Sequence, residues 1–130
     1  MVAGLNSVEP VLFNVSEVEY FMDDEQARRA RRPLVVRLAK ERLAMLEAAR
    51  AGRDWLVGDG FTIADLVLAS ILKIADRLAL LDELPALAAW QRGILARPAH
   101  VRAEQDQRAE IARHTPTDMR YDALGEETAP

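Results

Sequence analysis

The sequence Gly-Asp-Gly-Phe-Thr-Ile-Ala-Asp at positions 58–65 predicts the start of a buried helix. The hydroxyl of Thr62 suits a helix N-cap, because it can accept a hydrogen bond from the backbone N–H of Asp65. The carboxylate of Asp65 can reach back to the N–H of Thr62, which makes a capping box with Asp in place of the commoner Glu. Phe61 and Leu66 stand at the spacing of a hydrophobic staple. We therefore predict that Thr62 and Asp65 are structural N-cap residues.

The helix that follows this cap carries almost no polar side chain. Between positions 63 and 75 the polar residues are Asp65, Ser70 and Lys73. A helix without a polar, solvent-exposed face belongs in the interior of a domain, where other helices surround it. This helix is therefore predicted to be the central element of a helical domain.

The composition restricts the class of protein. The chain has 130 residues, half of them hydrophobic, with no Cys, two His and a net charge of −4. That length is enough for one domain with a real core. The lack of Cys excludes disulfides and thiolate chemistry, and two His without well-placed carboxylates predict no metal site. The negative net charge argues against nucleic acid as a partner.

The chain also lacks the sequence features of membrane and secreted proteins. No apolar run approaches the roughly 20 residues of a membrane span. The first residues do not show the basic segment followed by an apolar core that marks a signal peptide. We therefore expect a cytoplasmic protein with no membrane partner.

Apolar residues recur at helical spacing along most of the chain, and this pattern predicts an all-α fold. The predicted helices lie near positions 3–24, 33–51, 62–77, 85–96 and 98–111. Pro10 interrupts the first of these and predicts a kink or a late helix start. Pro33 is predicted to open the second helix and Gly52 to end it. The predicted inward stripe of the second helix consists of Leu34, Val35, Leu38, Leu43, Leu46 and Ala49.

Two charged or polar segments are predicted to lie outside the helices. Residues 23–32 contain an acidic cluster followed by a basic one, and we interpret them as a solvated connection whose opposite charges neutralise each other. From about position 113 the chain is polar and contains further Pro and Gly. The predicted organisation is therefore a helical domain over 1–112 and a flexible polar tail over 113–130.

Three strings in the sequence carry a resemblance to one family. The capping stretch, preceded by Trp-Leu-Val-Gly at 55–58, resembles the helical C-terminal domain of the glutathione transferases, where it opens the central helix. The string Asn-Ser-Val-Glu-Pro at 6–10 resembles the start of that domain in bacterial members. Pro-Ala-Leu-Ala-Ala-Trp at 85–90, with Ala-Arg-Pro at 96–98, resembles its later helices. The resemblance implies a bundle of about five helices like that domain.

The resemblance also implies a function. The helical half of a glutathione transferase supplies the electrophile-binding side of the cleft and dimer contacts to glutathione conjugation, a detoxification reaction. By resemblance, the substrate-binding residues are Asn6, Glu9 and Phe13, and no catalytic residue is predicted. The residues alone leave another interpretation open, in which Asn6 and Ser7 satisfy backbone groups near the kink. The alternative function is a non-enzymatic helical protein-interaction module.

In that family an N-terminal thioredoxin-like domain holds glutathione and activates its thiol. No such pattern precedes Leu5 in this sequence. The chain is thus expected to be either a fragment or a single-domain relative. The resemblance implies no cofactor in this chain, with glutathione as co-substrate when a thioredoxin-like domain or protein is present. We expect the isolated chain to have no measurable conjugating activity.

Without that domain, apolar residues that it would cover are expected to be exposed. The candidates are Val2, Leu5 and Phe13 on the first helix, with some of Leu78, Leu80 and Leu81. Because a contiguous apolar patch is rarely left exposed to solvent in a monomer, we expect a symmetric homodimer through the first two helices.

Overall fold

The structure is a computed structural model that describes residues 4–114. Every regular element in that range is a helix, which confirms the predicted all-α fold of about five helices. The first helical segment, 4–21, consists of α1 (Glu9–Ser16) between the π-helical turns Gly4–Val8 and Glu17–Phe21. It is followed by α2 (Glu25–Arg50), α3 (Ile63–Arg77), α4 (Pro85–Leu95) and α5 (Pro98–His114). These helices divide between two compact units, one ending at Ala96 and the other beginning at Arg97.

The core of the first unit is built around α3. Seven of the fifteen residues of α3 are buried, and the helix contacts both α1 and α4. The first helical segment contacts α2 on one side and α3 on the other. The largest fully buried side chains of this core are Leu12, Val15, Val18, Leu43, Leu72, Leu81 and Leu87. The predicted central position of the apolar helix is thus confirmed.

Pro10, where the sequence predicts a kink or a late helix start, lies at a change in helix type: the α-helix begins at Glu9. Pro10 lies in the first turn of α1, where its missing N–H removes no α-helical hydrogen bond. The residues immediately before it, Gly4–Val8, form a π-helical turn. The hydrogen-bonding pattern therefore changes from π to α next to the proline.

Helix α2 begins at Glu25, so the prediction of a solvated connection over 23–32 is wrong. Asp24 caps the helix, because its side chain accepts hydrogen bonds from the N–H of Gln26 at 2.9 Å and of Ala27 at 3.1 Å. Pro33 lies inside the helix rather than at its start. A proline there removes one backbone hydrogen bond, at a cost of about 3 kcal/mol.

Ion pairs between helices help to hold this early part of α2 in place. Arg31 pairs with Glu17 at 2.9 Å and Arg32 with Glu19 at 2.5 Å, and both glutamates belong to the preceding π-helical turn. The basic cluster therefore binds the acidic residues of its neighbour. At its other end α2 stops at Arg50, and Gly52 takes a φ of 73°, which confirms the predicted stop.

The N-terminus of α4 is capped by a residue of α2. The N-cap residue Leu84 makes no side-chain hydrogen bond. Instead, Oε1 of Glu47 accepts hydrogen bonds from the N–H groups of Ala86 and Leu87, each at 3.2 Å. A carboxylate at this position also interacts favourably with the helix dipole. Glu47 therefore joins the last turns of α2 to the start of α4.

The second unit is represented in the described range by α5, which carries no buried residue. The helix extends to His114, three residues beyond the prediction, and Arg113 pairs with Glu110 at 3.0 Å. Arg113 and His114 are thus helical rather than part of the predicted tail. The rest of that tail lies outside the described residues, and the domain boundary at 112 stays a prediction.

The C-terminus of α3 is a Schellman motif with alanine where glycine is usual. The N–H of Leu80 donates to the carbonyl of Ala75 at 2.9 Å, and the N–H of Ala79 donates to the carbonyl of Asp76 at 3.0 Å. Ala79 has a φ of 55°, in the left-handed region. A side chain with a Cβ is strained there, so this position favours glycine.

We predict that Ala79→Gly stabilises the protein. Relief of the Cβ strain exceeds the entropy cost of a glycine, and the expected gain is about 0.5–1 kcal/mol in the free energy of unfolding. Urea denaturation measures it. The matched control is Ala89→Gly, an exposed position inside α4, which should lose about 1 kcal/mol. Destabilisation by both variants would contradict the prediction.

Candidate functional site

The carboxylate of Asp65 is fully buried and receives three hydrogen bonds. Both halves of the predicted capping box with Thr62 are present. Oδ2 of Asp65 accepts from the backbone N–H of Thr62 at 2.8 Å and from its hydroxyl at 2.9 Å. Oδ1 accepts from the N–H of Leu56 at 2.8 Å, a contact that the capping motif did not predict. Asp65 therefore also fixes the loop that leads to α3.

These hydrogen bonds keep the buried carboxylate ionised. Burial raises the pKa of the Asp65 carboxyl, but the hydrogen bonds from Leu56 and Thr62 lower it more, so the pKa lies below its ordinary value of 3.8. A depressed pKa in the folded state stabilises the fold at every pH above the unfolded value. That contribution is lost as the pH falls through the folded pKa.

We predict that Asp65→Ala lowers the free energy of unfolding by about 2–3 kcal/mol at pH 7, because the two N–H groups lose their acceptor. The stability difference from the wild type should shrink as the pH falls below 3.8, where the unfolded carboxyl takes up a proton. It should continue to shrink until the folded carboxyl is protonated as well. Urea denaturation over a pH series measures both effects.

The control for this prediction is Asp76→Ala, which removes an exposed carboxylate from the same helix. Its effect on stability should be within about 0.5 kcal/mol. Equal effects of the two substitutions at pH 7, or a loss for Asp65→Ala that is independent of pH, would show that the carboxylate does not have this role.

The predicted substrate-binding residues all lie on the first helical segment. Asn6 is exposed in the π-helical turn Gly4–Val8, and Glu9 is half-buried at the start of α1. Phe13 follows Glu9 by four positions, so the two share a side of α1. The ring of Phe13 is 59% exposed. The structure thus brings an apolar ring and a carboxylate together on an accessible helix, but their role in binding stays a prediction.

Helix α2 presents an exposed apolar stripe that the sequence analysis assigned to the core. Leu34 and Leu38 were predicted to point inward, but they are 50% and 41% exposed. Val35 and Leu43 of the predicted stripe are buried, together with Ala39, while Ala49 is exposed. Met45 continues the exposed stripe at 61%. The helix therefore has two adjacent apolar stripes, and a helical repeat alone does not tell which one faces the core.

Phe13 and the exposed stripe of α2 lie on two consecutive helices that ion pairs join. The ion pair between Arg31 and Glu17 bridges the two helices. Phe13 is one turn before Glu17, and Leu34 is one turn after Arg31, so each lies one turn from this ion pair. We call the exposed apolar residues of these two helices the α1–α2 face; they are Phe13, Leu34, Leu38 and Met45.

The predicted exposure of apolar residues is correct for the first helix and wrong for the turn after α3. Leu5 and Phe13 are exposed, while Val2 lies outside the described residues. Leu78 is half-buried, and Leu80 and Leu81 are buried, with 6% and 2% of their surface exposed. The Schellman motif returns the chain onto the core, which buries these leucines.

Within residues 4–114 no three His, Asp or Glu side chains are grouped so that they could hold a metal ion. No helix in the same range is both long and apolar enough to cross a membrane.

Part of the chain is similar to a known protein family. Residues 17–98 match the sequence profile of the glutathione S-transferase C-terminal domain. The matched range includes the capping box and the helices α2, α3 and α4. Among curated proteins no sequence matches the chain.

Proposed function

Since this chain belongs to the glutathione S-transferase C-terminal domain family, we propose that it supplies the electrophile-binding side of a glutathione-conjugating enzyme. The observation that carries the proposal is the exposed side chain of Phe13, one helical turn after the half-buried Glu9. Asn6 adds an exposed amide on the same segment. These three residues precede the matched range, so their role rests on geometry and on the family to which the rest of the chain belongs.

In the proposed reaction the thiolate of glutathione attacks an electrophilic carbon, forms a thioether bond and expels the leaving group. A thioredoxin-like domain or protein would be the partner that holds glutathione as co-substrate. Phe13 would contact the apolar body of the electrophile, because aromatic rings stack with other flat rings. Holding the electrophile in place raises its effective concentration near the thiolate. Cytoplasmic location belongs to the same proposal.

The non-enzymatic interaction module is the weaker alternative, since nothing in the described part of the chain favours it specifically. It would require partner binding without glutathione chemistry. The electrophile-binding test below separates the two functions, because a pure interaction module has no reason to bind a small aromatic compound on α1.

We predict that 1,3-dinitrobenzene, an unreactive analogue of an aromatic electrophile, binds to α1 of the 130-residue chain. Phe13→Ala should weaken the binding about three- to tenfold, because it removes the stacking ring. Titration followed by NMR amide shifts measures both the affinity and the location.

The control variant is Phe21→Ala, which removes another exposed phenylalanine of the first helical segment. It should leave the affinity unchanged. A wild type without saturable shifts on α1, or equal weakening by the two variants, would contradict the proposal.

We further propose that the chain forms a symmetric homodimer through the first two helices, with Leu34, Leu38 and Met45 at the centre of the interface and Phe13 at its rim, where the ring stays accessible to the electrophile. The support is the exposed apolar stripe of α2, together with the exposed ring of Phe13. Exposed apolar clusters of this kind are commonly buried by a partner. A two-fold axis would place each copy of the face against the other, as in most dimers.

We predict that sedimentation over a wide concentration range shows a monomer–dimer equilibrium. Leu38→Glu should shift it to monomer, since a charge at the centre of the interface is desolvated without a partner. The control is Val57→Glu at an exposed loop position outside the face, which should not change the equilibrium. A wild type that stays monomeric at high micromolar concentration would overturn the dimer.

A further inference from the structure

A small pocket lies where α2 ends and the chain turns toward α3. Its cavity volume is about 120 Å³. The lining residues are Leu46, Ala49, Arg50, Arg53, Trp55 and Leu56. The pocket contains no residue of the α1–α2 face, so what it binds is independent of the proposed transferase role.

The two arginines of this pocket have no anionic partner in the described range. Arg50 is half-buried, and its Nη1 and Nη2 donate to the backbone carbonyls of Arg53 at 2.8 Å and of Ala86 at 3.1 Å. Its guanidinium also lies over the ring of Trp90, 5.5 Å from the centroid. Carbonyls and an aromatic ring attract a cation, but they do not neutralise its charge. Arg53 is exposed and forms no ion pair with any residue from 4 to 114.

Two carboxylates adjoin the lining residues in sequence, those of Glu47 and Asp54. Glu47 uses Oε1 to cap α4 through Ala86 and Leu87. In addition, Nε of Arg50 is buried and has no hydrogen-bond partner. A buried donor without an acceptor is costly, so this end of α2 offers a ligand two sets of donors, Nε of Arg50 and the guanidinium of Arg53.

We propose that this pocket binds a small monocarboxylate with a compact apolar body. The carboxylate meets the free guanidinium of Arg53, which presents its donors in a planar fork that fits two carboxylate oxygens. Arg50 adds a second positive charge and an unpaired Nε–H donor at the pocket wall. Leu46, Leu56 and the indole of Trp55 contact the apolar body.

The size of the cavity limits the ligand. Pockets that enclose drug-sized molecules have volumes of about 300–1,000 Å³, and this one is well below that range at about 120 Å³. A single ring or a short branched chain is therefore the largest body that fits. A dinucleotide, a peptide or a lipid tail does not fit.

The first test compares three small probes on the full chain, followed by the NMR shift of the Trp55 indole N–H. Benzoate carries both the charge and the ring, benzamide keeps the ring without the charge, and acetate keeps the charge without the ring. We expect saturable binding of benzoate in the millimolar range, about −4 kcal/mol. Benzamide and acetate should bind at least about tenfold more weakly.

The second test uses Arg53→Gln, which removes the charge from an exposed side chain. Benzoate affinity should fall about tenfold. The matched control is Arg29→Gln, the same change near the opposite end of α2, about 30 Å away. It should leave the affinity unchanged. Circular dichroism confirms that both variants are folded.

Three results would overturn the proposal. The first is the absence of saturable benzoate binding to the wild type. The second is equal affinity for benzoate and benzamide, which would mean that the ring binds without its charge. The third is equal loss in Arg53→Gln and Arg29→Gln, which would assign the effect to overall charge rather than to this pocket.

Discussion

The first unit of this protein depends on one buried carboxylate. Asp65 collects two backbone N–H groups and one hydroxyl, from Leu56 and Thr62, in a place where water does not reach. An ionised group is costly to bury unless hydrogen bonds replace its hydration. Here they do, and the geometry that they require sets both the start of α3 and the path of the loop before it. The central helix and the loop are therefore positioned by the same two oxygen atoms.

The parts of this arrangement that depend on near neighbours in the chain could be predicted from the sequence. Thr62 and Asp65 are three positions apart, and the box they form depends on local geometry alone. The stop at Gly52 is local in the same way. The hydrogen bond from Leu56 to Asp65 was not predicted, because no short motif encodes it.

The wrong predictions concern residues whose positions depend on contacts with residues far away in the sequence. Helix α2 continues through Pro33 because Asp24 caps it and because Arg31 and Arg32 bind glutamates of the preceding turn. Leu38 is exposed although its spacing also fits an inward stripe. The candidate site was limited in the same way. The sequence predicted that Phe13 lies on the first helix, but it did not predict that the next helix, α2, exposes an apolar stripe. The pocket at the end of α2 gave no sequence signal, because Arg50 and Trp90 meet only after folding.

The capping of α4 by Glu47 makes the start of that helix depend on α2. The two N–H groups that Glu47 accepts lie 39 and 40 positions further along the chain. Until α2 and α4 are in contact, the first turn of α4 has no side-chain acceptor of its own. The start of helix α4 therefore has its side-chain cap only while α2 is in place, so a change that displaces the end of α2 also affects the first turn of α4.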